Sequence, residues 1–380
     1  MRLLPWLIAT FLVTGAPAAQ PSLAGGPFAV NVTSRTATIV WIVESGDLAI
    51  RPAGDADALR VSPSLRVEKT TLTGLKPNTK YEYNVPGFHD ATGSFKTPPT
   101  GDTPFDFVAY GDNRTRPSVH PQVIEQIVAH GIPDMVLQSG DLVADGSDSS
   151  LWSIFFDIEK ELLRQTAFFP SLGNHEHNAR NFYDLLQVAT PYYSFDWGNA
   201  HFSVIDTDID NISKVESVRT AFWAEETHWL EEDLKSHQTS QFRFVAGHHP
   251  PYTAVATRQG DNPQVTALTP MLEKYHVTAG LFGHDHNYQH YLQNGIHYIT
   301  SGGGGAPLYD VDKPPVGITQ KVAKVENFVA VHVEGKSAHV KVIAIDGQVI
   351  DEFDLQGWAA PKPVVKPKPS PEPTTDQPAN

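Results

Sequence analysis

Five short clusters in the 380-residue sequence carry side chains able to hold metal ions. They are Gly111-Asp112, Gly140-Asp141, Gly173-Asn174-His175-Glu176, Gly247-His248-His249 and Gly283-His284-Asp285-His286. Carboxylates and imidazoles suit divalent or trivalent ions such as zinc, iron and manganese, and a carboxylate can bridge two of them. Two ions a few ångströms apart activate a water and clamp phosphoryl oxygens. A glycine before each polar residue lets the backbone turn sharply and approach a bound ion or phosphate. An aspartate that follows a strand also has a plain role, capping the next helix. For Asp112 or Asp141 alone the two readings weigh about equally; the ordered set of five favours metal.

Alternating elements must position these clusters. Residues 105–110, 134–138, 167–172, 242–246 and 279–282 read as strands, and each cluster sits where one of them ends. Residues 123–130, 151–163, 220–237 and 266–275 carry apolar side chains at helical spacing. Trp223, Leu230 and Leu234 share one face of the third helix, which is core packing rather than a ligand box. Such alternation predicts βαβ units and a largely parallel sheet. Ligands of open α/β sheets bind at the carboxyl ends of the strands. Residues 327–355 return to short strands that close the layer.

The ends of the chain differ from its middle. Arg2, the apolar run 3–13 and Ala16-Pro17-Ala18 have the layout of a secretory signal peptide over residues 1–19. The run is too short to span a bilayer, and no other stretch approaches that length. The expectation is an exported protein, periplasmic or secreted, with no transmembrane segment in the mature chain. Residues 358–380 are rich in proline and lysine and cannot bury a core. They read as a mobile spacer or a cell-envelope tether. The chain has no cysteine, which excludes disulfides, zinc–thiolate sites and thiol nucleophiles. Asn113 begins one of three glycosylation sequons, with Asn31 and Asn211, and a glycan there would block the proposed site. Both points lean towards a bacterial source. The formal charge of -15 repels duplex nucleic acid but leaves small phosphoesters open as substrates.

In this order the clusters resemble those of the calcineurin-like metallophosphoesterases, and within them the purple acid phosphatases. The flanking Tyr193-Ser-Phe-Asp-Trp-Gly-Asn-Ala-His-Phe202 and the run Gly302 to Gly305 match as well. The resemblance implies a four-layer αββα sandwich over residues 104–357. In front, residues 24–98 resemble a fibronectin type III-like β-sandwich, with Tyr81 after a turn as the corner tyrosine. That region carries no catalytic cluster and reads as structural or docking, a second possible contact with the cell envelope.

The resemblance also implies roles. Asp112 and His286 hold a first metal, Asp141 bridges, and Asn174, His248 and His284 hold a second. His175 contacts the phosphate and protonates the leaving oxygen, with Glu176 orienting its ring. A metal-bound hydroxide attacks phosphorus in line. Two departures weaken the first site: Arg114 stands where the broader family has a histidine ligand, and Ala144 where purple acid phosphatases have a metal-binding tyrosine. Arg114 is suited instead to hold a phosphate oxygen. Asn113 reads equally as a substrate contact or a turn residue, and the glycine run as a phosphate loop or a flexible turn. His249 reads as a wall of the site, His177 and His290 as ordinary polar residues, and His201 as part of a packed strand. The expected function is phosphomonoester hydrolysis, extending to phosphodiesters. The alternative is a non-catalytic or single-metal envelope protein that binds a phosphate ligand.

Overall fold

The computed structural model describes residues 22–50, 53, 60–358 and 360. The expected signal peptide and nearly all of the expected tail lie outside them. Two mixed sheets form the centre. The nine-stranded sheet runs Val349–Gln356, Ser337–Ala344, Asn327–Glu334, Phe105–Tyr110, Met135–Gln138, Ala167–Pro170, Ser22–Val30, Thr36–Ile50 and Arg60–Thr73. The seven-stranded sheet runs Thr319–Ala323, Tyr288–Gln293, Ile296–Ser301, Ala279–Phe282, Phe242–Ala246, Ala200–Val204 and Tyr193–Trp197. Each has a parallel middle: Phe105–Tyr110 through Ala167–Pro170 in the first, Ile296–Ser301 through Ala200–Val204 in the second.

Three buried apolar clusters mark three interfaces between four layers. Between the sheets, the Phe107 ring meets Phe202 and Phe244 edge-on, each at 5.4 Å. Burying a ring of this size stabilises the fold by about 1.5–3 kcal/mol. The outer face of the nine-stranded sheet is covered by helices His120–His130, Ser149–Leu163 and Arg180–Leu186, through residues such as Ile127, Trp152 and Leu185. Leu230 and Leu234 of helix Glu216–Ser236 cover the other sheet, as their spacing predicts. The Asp148 side chain starts helix Ser149–Leu163 by accepting the Ser150 N–H.

The front of the chain is all-β, as expected, and Tyr81 is a corner tyrosine whose hydroxyl accepts the Lys76 N–H at 2.8 Å. Its organisation differs from a free-standing sandwich. Strand Ser22–Val30 lies parallel to Ala167–Pro170 and carries the next two strands into the nine-stranded sheet. Phe28 stacks on Phe156 of helix Ser149–Leu163 at 5.5 Å, and the Arg164 guanidinium donates to the Gly26 carbonyl. Ala29, Ile39 and Phe95 belong to the core between the sheets, while Val40 and Ile42 belong to the outer one. Among the described residues the front has no core separate from the rest.

Helix Glu216–Ser236 is fastened to the sheet edge by an ionic clasp. His201 lies between Asp196, 2.8 Å from Nδ1, and Asp233, 2.9 Å from Nε2, with the His237 ring stacked on it at 3.5 Å. With both His201 nitrogens engaged by carboxylates, this cluster reads as an ion-pair clasp rather than a metal site. Burial alone lowers an imidazole pKa, but bonds to Asp196 and Asp233 outweigh it and raise His201. His237 is raised by its bond to Asp233. Burial would raise Asp233, yet bonds from His201 and His237 hold it well below the usual range. Raised histidines stabilise below their ordinary pKa and lose that contribution as pH climbs through the folded value; a lowered aspartate stabilises above its ordinary pKa. The clasp is therefore strongest at about pH 4–6.5. Asp233→Asn is expected to lose about 3 kcal/mol at pH 5 and clearly less at pH 9, measured by denaturant unfolding. Equal losses at both values would contradict the clasp.

Candidate metal centre

The parallel strands of both sheets end along one edge, and the five clusters meet there. Asp112, Asp141 and His284 each follow a strand in the left-handed backbone region, with φ of 59°, 58° and 68°. Such conformations cost about 1–3 kcal/mol each for ordinary residues, and they swing the side chain out of the strand's alternation towards the centre. Gly173 shows how tightly the loops meet. A Cβ there would lie inside van der Waals contact with the Asp141 amide nitrogen and side chain.

One group of ligand atoms gathers around His248. Its Nδ1–H donates to the Ser139 carbonyl at 2.7 Å, which leaves Nε2 as a lone pair facing the centre. That Nε2 lies 3.0 Å from Asn174 Oδ1, 3.3 Å from His284 Nδ1 and 3.4 Å from Asp141 Oδ1. Asn174 Oδ1 is also 3.1 Å from His284 Nδ1. Burial, above all, pushes the His284 pKa well down, so it presents the neutral ring a metal requires.

The other group, that of the expected first site, is Asp112, Asp141 and His286, whose ligand atoms all lie within 4.8 Å of one another. The His286 Nδ1–H donates to the Pro307 carbonyl at 2.7 Å and aims Nε2 at Asp112 Oδ1, 3.4 Å away. Asp112 Oδ2 accepts the His284 N–H at 2.7 Å, while its buried Oδ1 has no hydrogen-bond partner. An orphaned carboxylate oxygen opposite an imidazole lone pair fits a cation. Arg114 intrudes here. Its Nε–H donates to Asp141 Oδ2 at 2.8 Å and its Nη2 lies 3.4 Å from His286 Nε2. Asp141, caught between the groups, would be raised by burial, but the charges of His248, Arg114 and His175 outweigh this and lower its pKa to about 2. The donor set of the first group thus fits a metal, in competition with a fixed guanidinium.

The family described as calcineurin-like phosphoesterase matches residues 108–288, the span that holds all five clusters. Those residues are a calcineurin-like phosphoesterase domain. Purple acid phosphatase 21 of Arabidopsis thaliana is 28% identical over 269 residues, 63% of this chain and 58% of that protein. Human tartrate-resistant acid phosphatase type 5 is 28% identical over 211 residues, 45% of this chain and 61% of that protein. The chain thus spans less than two thirds of either relative. Among solved structures, the purple acid phosphatase PPD1 of yellow lupin (Lupinus luteus) superposes with a TM-score of 0.67 at 18% identity. The match covers 88% of this chain and 74% of that one, a likeness of fold.

In the phosphoesterase domain two expected roles need correction. Glu176 does not touch the His175 ring. Its buried carboxylate accepts the backbone N–H groups of Asp141, Leu142, Val143 and Gly173 at 2.8–3.2 Å. It braces the Asp141 loop, because a short helical turn after Gly173 directs it inwards. The His175 Nδ1–H goes instead to the Ala144 carbonyl at 2.9 Å, which leaves Nε2 free. Asn113 does not point at the ligand groups. It is buried in a network in which its amide reaches His120 and Glu159 and its oxygen accepts from Gln138.

Further residues surround the centre. His249, read from the sequence as a wall of the site, joins His248 and His284 as a third possible nitrogen ligand. Tyr309 stacks on the His286 ring at 4.2 Å, and Arg258 lies over Tyr309 while donating to the His284 carbonyl. Both stand in loops without a motif, so no sequence signal pointed to them. The glycine run lies beneath the centre. Gly304 donates to the Gly111 carbonyl, and a Cβ at Gly302 would meet the Asp285 backbone and the Asp112 side chain.

Proposed function

We propose that this domain hydrolyses phosphomonoesters, with small phosphodiesters within its chemistry, at two metal ions held by Asp112, Asp141, Asn174, His248, His284 and His286. The unpartnered Asp112 Oδ1, opposite the aimed nitrogen of His286 and beside the His248–His284–Asn174 group, carries the reading. The names of the relatives, both phosphatases, support it. Iron, zinc or manganese suits the donor set, and when bound such ions activate water and neutralise phosphoryl oxygens. The chain supplies the rest. Asp141 holds Arg114 at the first group, where Nη1 also donates to Thr115 Oγ1 and the remaining N–H groups suit a phosphoryl oxygen. His175, anchored at Nδ1, turns Nε2 to the leaving oxygen as a proton donor. Burial, above all, lowers its pKa and makes that proton more acidic.

A second reading, a phosphate-binding protein with one metal, is favoured by the seat of Arg114 in the first group. Elemental analysis combined with phosphate release from an aryl phosphate, with and without chelator, separates the two. Metal-dependent release is expected. No release by metal-loaded protein would sink the hydrolytic reading. Arg114→His removes a positive charge and adds a nitrogen ligand, so the affinity of the first site is expected to rise at least about tenfold in metal titration.

Among the described residues, no helix is long and apolar enough to cross a membrane. The leader-like residues 1–19 support export as a further part of this proposal. The intact mass of the protein recovered outside the cytoplasm, with or without those residues, checks it.

A further inference from the structure

We infer that the centre takes monoesters of apolar alcohols, whose alkyl or aryl group enters a cavity beside the metal ligands. This rests on the hydrolytic reading above. The cavity has a volume of about 330 Å³, within the range of small-ligand pockets. Its lining is mostly apolar, with Val143, Ala144, Leu151, Ile154, Phe155 and Ile158, and Asn113, Arg114, Thr115 and His120 are its polar members.

Two of these residues also belong to the centre. Arg114 is the residue whose Nε–H holds Asp141, and Ala144 is the residue whose carbonyl holds His175 Nδ1. The cavity therefore adjoins the centre at Arg114, on the side of the Asp141 carboxylate. The small side chain of Ala144 leaves this space open. On helix Ser149–Leu163, Ile154 is a large apolar residue at 47% exposure, while its cavity neighbour Phe155 is buried. Asn113 and His120 are engaged with each other, His120 also with Glu159, and Thr115 with Arg114, so a polar alcohol would lose water and gain few partners, whereas an alkyl chain gains from leaving water. Arg114 at the inner wall matches the negative charge of the phosphate on which the alcohol arrives.

The test is kcat/KM for ethyl, butyl and hexyl phosphate with metal-loaded protein. Their alcohols have closely similar acidity, so the chemistry stays constant while apolar length changes. A rise of about two- to fourfold per methylene, until the cavity is filled, is expected. A flat series in a protein that hydrolyses these esters overturns the inference and leaves the hydrolytic reading standing. Ile154→Gln, at an exposed position that folding tolerates, is expected to flatten the rise; an unchanged rise counts against the cavity. The matching alkylphosphonic acids, which cannot be hydrolysed, supply a binding series by calorimetry. Affinity that grows with chain length supports the cavity, even where absent turnover overturns hydrolysis. Affinity independent of chain length overturns the cavity.

Discussion

Asp141→Asn is expected to lower phosphate release by roughly 10³-fold or more, about 4 kcal/mol of barrier, while the fold survives. Asp141 belongs to the first group, and its side chain also reaches the second. Its Oδ1 accepts the His175 N–H at 2.9 Å and lies 3.4 Å from His248 Nε2, while Oδ2 accepts from Arg114. An asparagine keeps the shape but replaces one oxygen with a donor, which must then face either the guanidinium or the His175 N–H. It also loses the negative charge that two cations would share. Asparagine tolerates left-handed backbone well, so the φ of 58° is no obstacle to folding. Rates with an aryl phosphate, together with metal content, check this. Full activity in the variant would remove Asp141 from the centre.

Glu176→Ala is expected to cost at least about 4 kcal/mol of stability, because it leaves four buried N–H groups without an acceptor at about 1–3 kcal/mol each. That is a large share of the ~5–15 kcal/mol that holds a typical domain together. The loop it releases carries Asp141, so metal affinity falls with stability. Glu176→Gln keeps one oxygen and is expected to lie between the alanine variant and the parent. Denaturant unfolding of the three proteins, with metal titration, checks the order. A loss below ~1 kcal/mol for the alanine variant would show that the loop is held by other contacts.

What could be read in the sequence is what depends on near neighbours. Strands Phe105–Tyr110, Phe242–Ala246 and Ala279–Phe282 have the limits that their residue types predict, because strand and helix periodicities are local properties. The glycines before the polar clusters were legible for the same reason, since a sharp turn after a strand needs them whatever lies opposite.

Other features depend on what lies opposite, and composition cannot supply that. Ser22–Val30 forms a parallel edge with Ala167–Pro170, which took the front strands into the central sheet; a strand's pattern does not name its partner. Glu176 next to His175 suggested a pair, yet the turn sends the carboxylate to four backbone amides and the ring to a carbonyl. Arg114 stood two residues after Asp112 in the sequence, and only the folded loops set its guanidinium between Asp141 and His286, residues 27 and 172 positions away. The sequence by itself determined which side chains are available to the candidate metal centre and that they fall at strand ends. The tertiary structure decided which of them face one another, because backbone dihedrals at the loops and pairing between distant strands set the direction of each side chain.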